Sequence, residues 1–246
     1  MRMKTGLLAL SLAMFAVTPA FAGTTNFSFA FGGSDMTLGT SQSYTSNGAT
    51  ITAYGYECSA TTPSSTDTLS GCSASALYQK NDGGAEVGLG LAGETDHEIG
   101  WDGANADFVI GLDVSSLFKL GATSMTLSFG SVQPGEAYAI LGYGSNPFGS
   151  TFALTNTQAW VANDGSTSAQ VFSSTIGLNA GDEFLVIVSP CGASATGSDV
   201  GCGGNVTLGS LTSSAPTPEP GTLALFATGL LALGFCMRRR LAFQRQ

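Results

Sequence analysis

SMTLSFGSV, residues 124–132, decides the fold class. In an extended chain successive side chains point to opposite faces, so Met125, Leu127 and Phe129 line one side and Thr126 and Ser128 the other. A helical turn of 3.6 residues would scatter the same apolar set around its axis, which makes a half-buried strand the better reading. Runs of the same kind recur along the chain: ITAYGYE (51–57), EVGLGL (86–91), DFVIGLDV (107–114), AYAILGYG (137–144), AQVFSSTIGL (169–178) and NVTLGSL (205–211). EFLVIVS (183–189) is continuously apolar and predicts a central strand. Turn formers such as Asn81-Asp82-Gly83-Gly84, Gln133-Pro134-Gly135 and Asn163-Asp164-Gly165 separate the runs. Short strands with frequent turns indicate an all-β, sandwich-like domain. VSSLFKLG (114–121) alone has helical character and reads as a connection to the next strand.

The two ends differ from this body. MRMKTGLLALSLAMFAVTPAFA (1–22) has a basic start, an apolar run and a small-x-small ending, the pattern of a cleaved signal peptide. The expected order is therefore a signal peptide at 1–22, an ectodomain at 23–212, a proline-rich linker at 213–220, an apolar segment at 221–237 and a basic tail at 238–246. Only Lys80 and Lys119 are basic within the ectodomain, whereas all 17 acidic residues lie between Asp35 and Glu219. An acidic surface of this kind repels phosphate backbones and excludes nucleic acid as a partner. Cys58, Cys72, Cys191 and Cys202 fall in the exported part, an even number in an oxidising compartment. Three connectivities are open, of which Cys58–Cys72 with Cys191–Cys202 closes the shortest loops.

Chemistry-bearing patterns are few. GLGLAG (88–93) matches G-x-G-x-x-G, but ETDHEIGWDG follows it and does not open a helix, so a glycine-rich strand and turn is the better reading. Eight acids lie within the 32 residues from Asp82 to Asp113. Glu94, Asp96 and Glu98 are spaced by two, and on a strand they would crowd one face unless water or a cation screened them. Calcium, a hard ion with oxygen ligands, is the candidate for Glu94, Asp96, Glu98 and Asp102, although no dedicated calcium loop is present and no cofactor is expected. His97 is the only histidine and has no nucleophile elbow with it, so the chain is not expected to be an enzyme. A glycoside-type hydrolase needs only two suitably spaced carboxylates and is the second alternative. A carbohydrate-binding or adhesin module using Trp101 and Trp160 is the first.

PTPEPGTLALFATGLLALGFCMRRR (216–240) combines an extended proline motif, a short apolar span and an arginine stop. Seventeen apolar residues, Gly221 to Met237, reach about 25 Å as a helix, a marginal membrane span. Arg238, Arg239 and Arg240 would hold the tail on the cytoplasmic side of the inner membrane. Pro218-Glu219-Pro220 followed by this span and stop closely resembles the PEP-CTERM sorting signal of Gram-negative bacteria. The resemblance implies that an exosortase-type enzyme recognises Pro218, Glu219 and Pro220, that the membrane stage is transient, and that the protein ends at the cell surface or in the extracellular matrix. It also implies a structural or interaction role linked to exopolysaccharide or biofilm, with polysaccharide as the partner.

Overall fold

A computed structural model describes residues 23–59, 68–101, 106–148, 152–153, 157–162, 170–179, 181–189, 205–217 and 228–229. Within them the alternating segments form β1 (Thr24–Ala30), β2 (Met36–Thr37), β3 (Ser41–Ser46), β4 (Ala49–Ser59), β5 (Thr68–Ala74), β6 (Leu77–Gly83), β7 (Glu86–Leu91) and β8 (Ile99–Trp101). They continue as β9 (Ala106–Asp113), α1 (Ser115–Lys119), β10 (Ser124–Val132), β11 (Ala137–Tyr143), β12 (Phe152–Ala153), β13 (Thr157–Ala162), β14 (Gln170–Gly177), β15 (Phe184–Val188) and β16 (Asn205–Pro216). The stretch at 114–121 thus contains a one-turn helix, and it is also the connection between β9 and β10.

All the strands belong to one antiparallel sheet folded on itself, which is the expected all-β, sandwich-like class. One half runs β1–β16–β10–β14, with β7, β6 and β2 continuing from β16. The other runs β4–β9–β15–β11–β13, with β3 and β5 on the outer side of β4. β8 joins the halves by pairing with both β9 and β16. Between them lies the main core, supplied by Phe27, Phe29, Met125, Leu127, Phe129 and Leu211 from one half and by Ile51, Ile110, Leu112, Ile140, Leu185 and Ile187 from the other. All five residues of β15 are buried because this strand is central and covered on both faces. Tyr138 crosses the core: its ring stacks on Phe129 with centroids 3.9 Å apart, and its hydroxyl meets Ser174 Oγ at 2.8 Å. A buried phenol needs such a partner.

The β unit extends from Thr24 to Pro216. The linker expected from Ser213 therefore begins later, because β16 keeps pairing with β1 through Thr24↔Pro216. Pro216 lacks a donor but stands at the strand's last position, where that is tolerated. The signal peptide, Cys191, Cys202, Asp102, Pro218, Glu219, Pro220 and Arg238 to Arg240 lie outside the described residues. So does the 221–237 segment except for Thr228 and Gly229, and among the described residues no helix is long and apolar enough to cross a membrane.

Gly88 and Gly90 of GLGLAG are explained by close approach. A Cβ on Gly88 would lie 2.7 Å from the Leu208 carbonyl oxygen, and one on Gly90 would collide with the His97 carbonyl. Here the backbone of another segment occupies the space a side chain needs. Gly90→Ala is expected to destabilise the domain by about 2 kcal/mol, the scale of overpacking. Equilibrium denaturation measures this, and an unchanged midpoint would contradict the packing described.

Candidate functional site

The acidic segment is a loop folded back over the outer face of β7, not a strand. Its backbone turns at Leu91, where Glu94 N bonds the Leu91 carbonyl at 3.4 Å and His97 N bonds the Glu94 carbonyl at 3.2 Å. Glu94 Oε2 accepts from the amides of Asp96, at 2.7 Å, and Glu98, at 3.1 Å, so this carboxylate staples its own loop. His97 takes φ 60°, and its ring stacks on Tyr78 with centroids 4.0 Å apart. Glu94, Asp96 and Glu98 consequently do not share a face: Glu94 and Glu98 are buried, and Asp96 is exposed.

Beneath the loop, Lys80 Nζ meets Glu98 Oε1 at 2.6 Å, with Asp82 at 3.4 Å and Glu86 at 3.7 Å. Lys80 and Glu98 are 7% and 1% exposed, so both charges are desolvated. Burial lifts the Glu98 carboxyl above the usual range despite the pair. Lys80 is also raised: burial opposes its charge, but the Glu98 hydrogen bond and surrounding carboxylates outweigh burial. Such a pair fixes geometry more than it adds stability, yet removing one partner would strand the other. Ser131, also buried, lies beside Glu98, and its hydroxyl partly offsets the effect of burial on that carboxyl.

Glu136 approaches the same region from the turn between β10 and β11. Its Oε2 accepts from Gln133 N at 2.5 Å, and it also accepts from the Asn205 amide. Burial pushes its carboxyl up to about 8, with Glu98 and Asp96 adding repulsion. Asn205 Nδ2 donates to Asp96 Oδ2 at 3.3 Å.

Among the described residues no group of three or more His, Cys, Asp or Glu side chains is placed to hold a metal ion. Glu94, Asp96 and Glu98 are instead turned apart, and Asp102 lies outside the described set. Of the carboxylates that carboxylate-based hydrolysis could draw on, Glu94 is engaged with loop amides and Glu98 with Lys80. Trp101 and Trp160 fall in β8 and β13, and their side chains lie outside the described residues. Cys58 and Cys72 form a disulfide between β4 and β5. Sequence reasoning did not single out Glu136 or Asp107 individually; the signal for Lys80 was that it is one of only two basic residues in the ectodomain.

A second surface is uncharged. Across β1, β16, β10 and β14 the outward residues form rows: Ser28, Thr212, Thr126 and Thr175 in one, and Ala30, Ser210, Ser128 and Ser173 in the next. Thr126 and Thr175 hydroxyls meet at 2.7 Å, and those of Ser128 and Ser173 at 2.8 Å. The strands that carry a row lie about 5 Å apart, close enough for such contacts. A groove of about 380 Å³ crosses the face, lined in part by Asn26, Ser28, Thr126, Thr212 and Ser214.

Glu136 sets a pH dependence. Its folded pKa of about 8 lies above the ordinary 4.5, so the folded protein holds a proton that the unfolded chain releases. Its stabilising contribution is fully present below pH 4.5 and is lost as pH rises toward 8. Denaturation midpoints should fall over that window in the wild type and fall less in Glu136→Gln; identical slopes would contradict the burial described.

No curated protein matches the chain. Solved structures similar to it include the K3 cleaved adhesin domain of Lys-gingipain from Porphyromonas gingivalis W83, at 12% identity and TM-score 0.37, covering 78% of this chain and 99% of that one. The K1 cleaved adhesin domain of the same protein is also similar, at 12% identity and TM-score 0.30, covering 79% of this chain and 99% of that one. At the C-terminal end the family comparison matches residues 216–240, the stretch in which the extended proline motif, apolar span and arginine stop follow one another. The chain thus carries the PEP-CTERM protein-sorting motif at residues 216–240, which supports an exosortase-sorted surface protein.

Proposed function

We propose that the domain is a non-catalytic surface or matrix component that contacts neutral exopolysaccharide through the hydroxyl rows of β1, β16, β10 and β14. The sorting motif accounts for delivery and implies processing by an exosortase. The contact reading rests on one observation, the two rows of short side chains that bond one another and carry no charge. In a chain of net charge −9 such a face is where an uncharged, hydroxyl-rich polymer meets the least repulsion. Short side chains also lose little rotamer freedom when covered. Glu94 and Glu98, held by the loop and by Lys80, support a structural role for the acidic segment.

Exosortase processing is tested by the intact mass of the protein from producing cells. A C-terminus between Pro218 and Gly221 is expected, and a chain ending at Gln246 would argue for a permanent anchor. Contact with polysaccharide is tested by co-sedimentation with the neutral exopolymer of the same cells. Thr212→Glu, which places a charge in the middle of a row, should weaken binding about tenfold, the effect of one poorly solvated charge. Equal sedimentation of the two proteins would refute the hydroxyl face as the contact.

A further inference from the structure

Asp107 is the most isolated ionisable group described. It is 0% exposed, and neither carboxylate oxygen has a hydrogen-bond partner. A buried polar group left in this state calls for a reason. Its place on β9 supplies one, because Asp107 is the direct cross-strand partner of Cys58 on β4. Residues so paired share a face with their Cβ atoms about 5 Å apart. The carboxyl therefore stands against the Cys58–Cys72 disulfide.

The two sulfurs are unequally placed. Cys58 is 1% exposed and belongs to the apolar cluster of Val109, Leu141 and Val186, whereas Cys72 on β5 is only partly buried. An incoming thiolate reaches Cys72, and Cys58 is the sulfur that departs. A departing thiolate in an apolar setting needs a proton at once, since an isolated buried charge is costly.

We propose that Asp107 is the internal proton donor and acceptor of an exchangeable Cys58–Cys72 disulfide whose co-reactant is a dithiol. In the reductive direction one thiolate of the dithiol attacks Cys72 Sγ. The Cys58–Cys72 bond breaks, and Cys58 Sγ leaves with the electron pair and takes the proton of the Asp107 carboxyl. The second thiol of the reagent, as its thiolate, then displaces Cys72, which is protonated from water. The reagent has lost two electrons and become a disulfide, the protein has gained two thiols, and Asp107 recovers its proton from solvent. The reverse sequence forms the bond, with the Asp107 carboxylate accepting the Cys58 proton.

Burial alone raises the Asp107 carboxyl well above the usual carboxylate range, with no charged neighbour contributing. On its face stand the Cys58–Cys72 disulfide, which has no proton to titrate while bonded, and, diagonally on β4, the phenol of Tyr56; from β8 its backbone partner is Trp101. A carboxyl kept neutral in this way can donate a proton.

The test is the rate of reduction of this disulfide by dithiothreitol in the full-length protein, between about pH 6 and 9, where the reagent's thiolate fraction can be controlled. Alkylated Cys58 and Cys72 peptides are quantified by mass. Divided by thiolate concentration, the wild-type rate should be level at low pH and fall as Asp107 ionises. Asp107→Asn should be about tenfold slower at neutral pH, a modest general-acid effect, with the ratio shrinking toward one as pH rises. A level wild-type profile overturns the proposal and needs no variant, so it decides even if Asp107→Asn fails to fold. A ratio that stays constant with pH also overturns it, since altered packing alone would change access equally at every pH.

Discussion

The fold depends on the pairing of one strand. β16 bonds β1 and β10 along most of its length and touches β7 and β8 near its start, so both halves of the sheet meet on a single segment of backbone. Val206, Leu208 and Leu211 on this strand also enter the main core. A shift of one residue in its register would turn those side chains to the outer face and carry Thr212 inward. Register is accordingly fixed by burial along the whole strand, and the rows of hydroxyls on the outside are a consequence of the apolar residues on the inside.

Ionisable groups are distributed in two regimes. On the four-strand hydroxyl face none appears in the two rows. Around the 92–98 loop Lys80, Glu94, Glu98 and Glu136 are all buried, each held by a specific partner. The second arrangement makes the loop a rigid cover, since opening it would expose Glu98 and leave Lys80 without its closest carboxylate. Asp107 belongs to neither regime: it is buried without a hydrogen-bond partner, opposite Cys58 on β4.

Much of the architecture was legible because alternation reports directly on burial. SMTLSFGSV and EFLVIVS occupy the half-buried and central positions their patterns imply. The acidic loop was not legible: spacing by two assumes an extended backbone, but the Glu94 carboxylate binds the amides two and four residues on and curls the chain. Nor was the Lys80–Glu98 pair, whose partners are 18 residues apart and meet only because Gly90 admits the loop. The Ser, Thr and Pro content after Leu211 imitates a linker, and only the inward Ala215 hints that the strand continues. The choice among cysteine pairings required the β4–β5 ladder, a tertiary fact.

The position of β16 has a consequence in time. Exported chains cross a membrane from the N-terminus onward, and β16 is the last strand of the domain, ending at Pro216 where the sorting motif begins. Among the described residues β1 has no other ladder partner, and the edges of β10 and β7 that bond β16 stay unpaired until residues 205–216 emerge. Completion of the sheet therefore coincides with emergence of the sorting motif, because the two share Pro216.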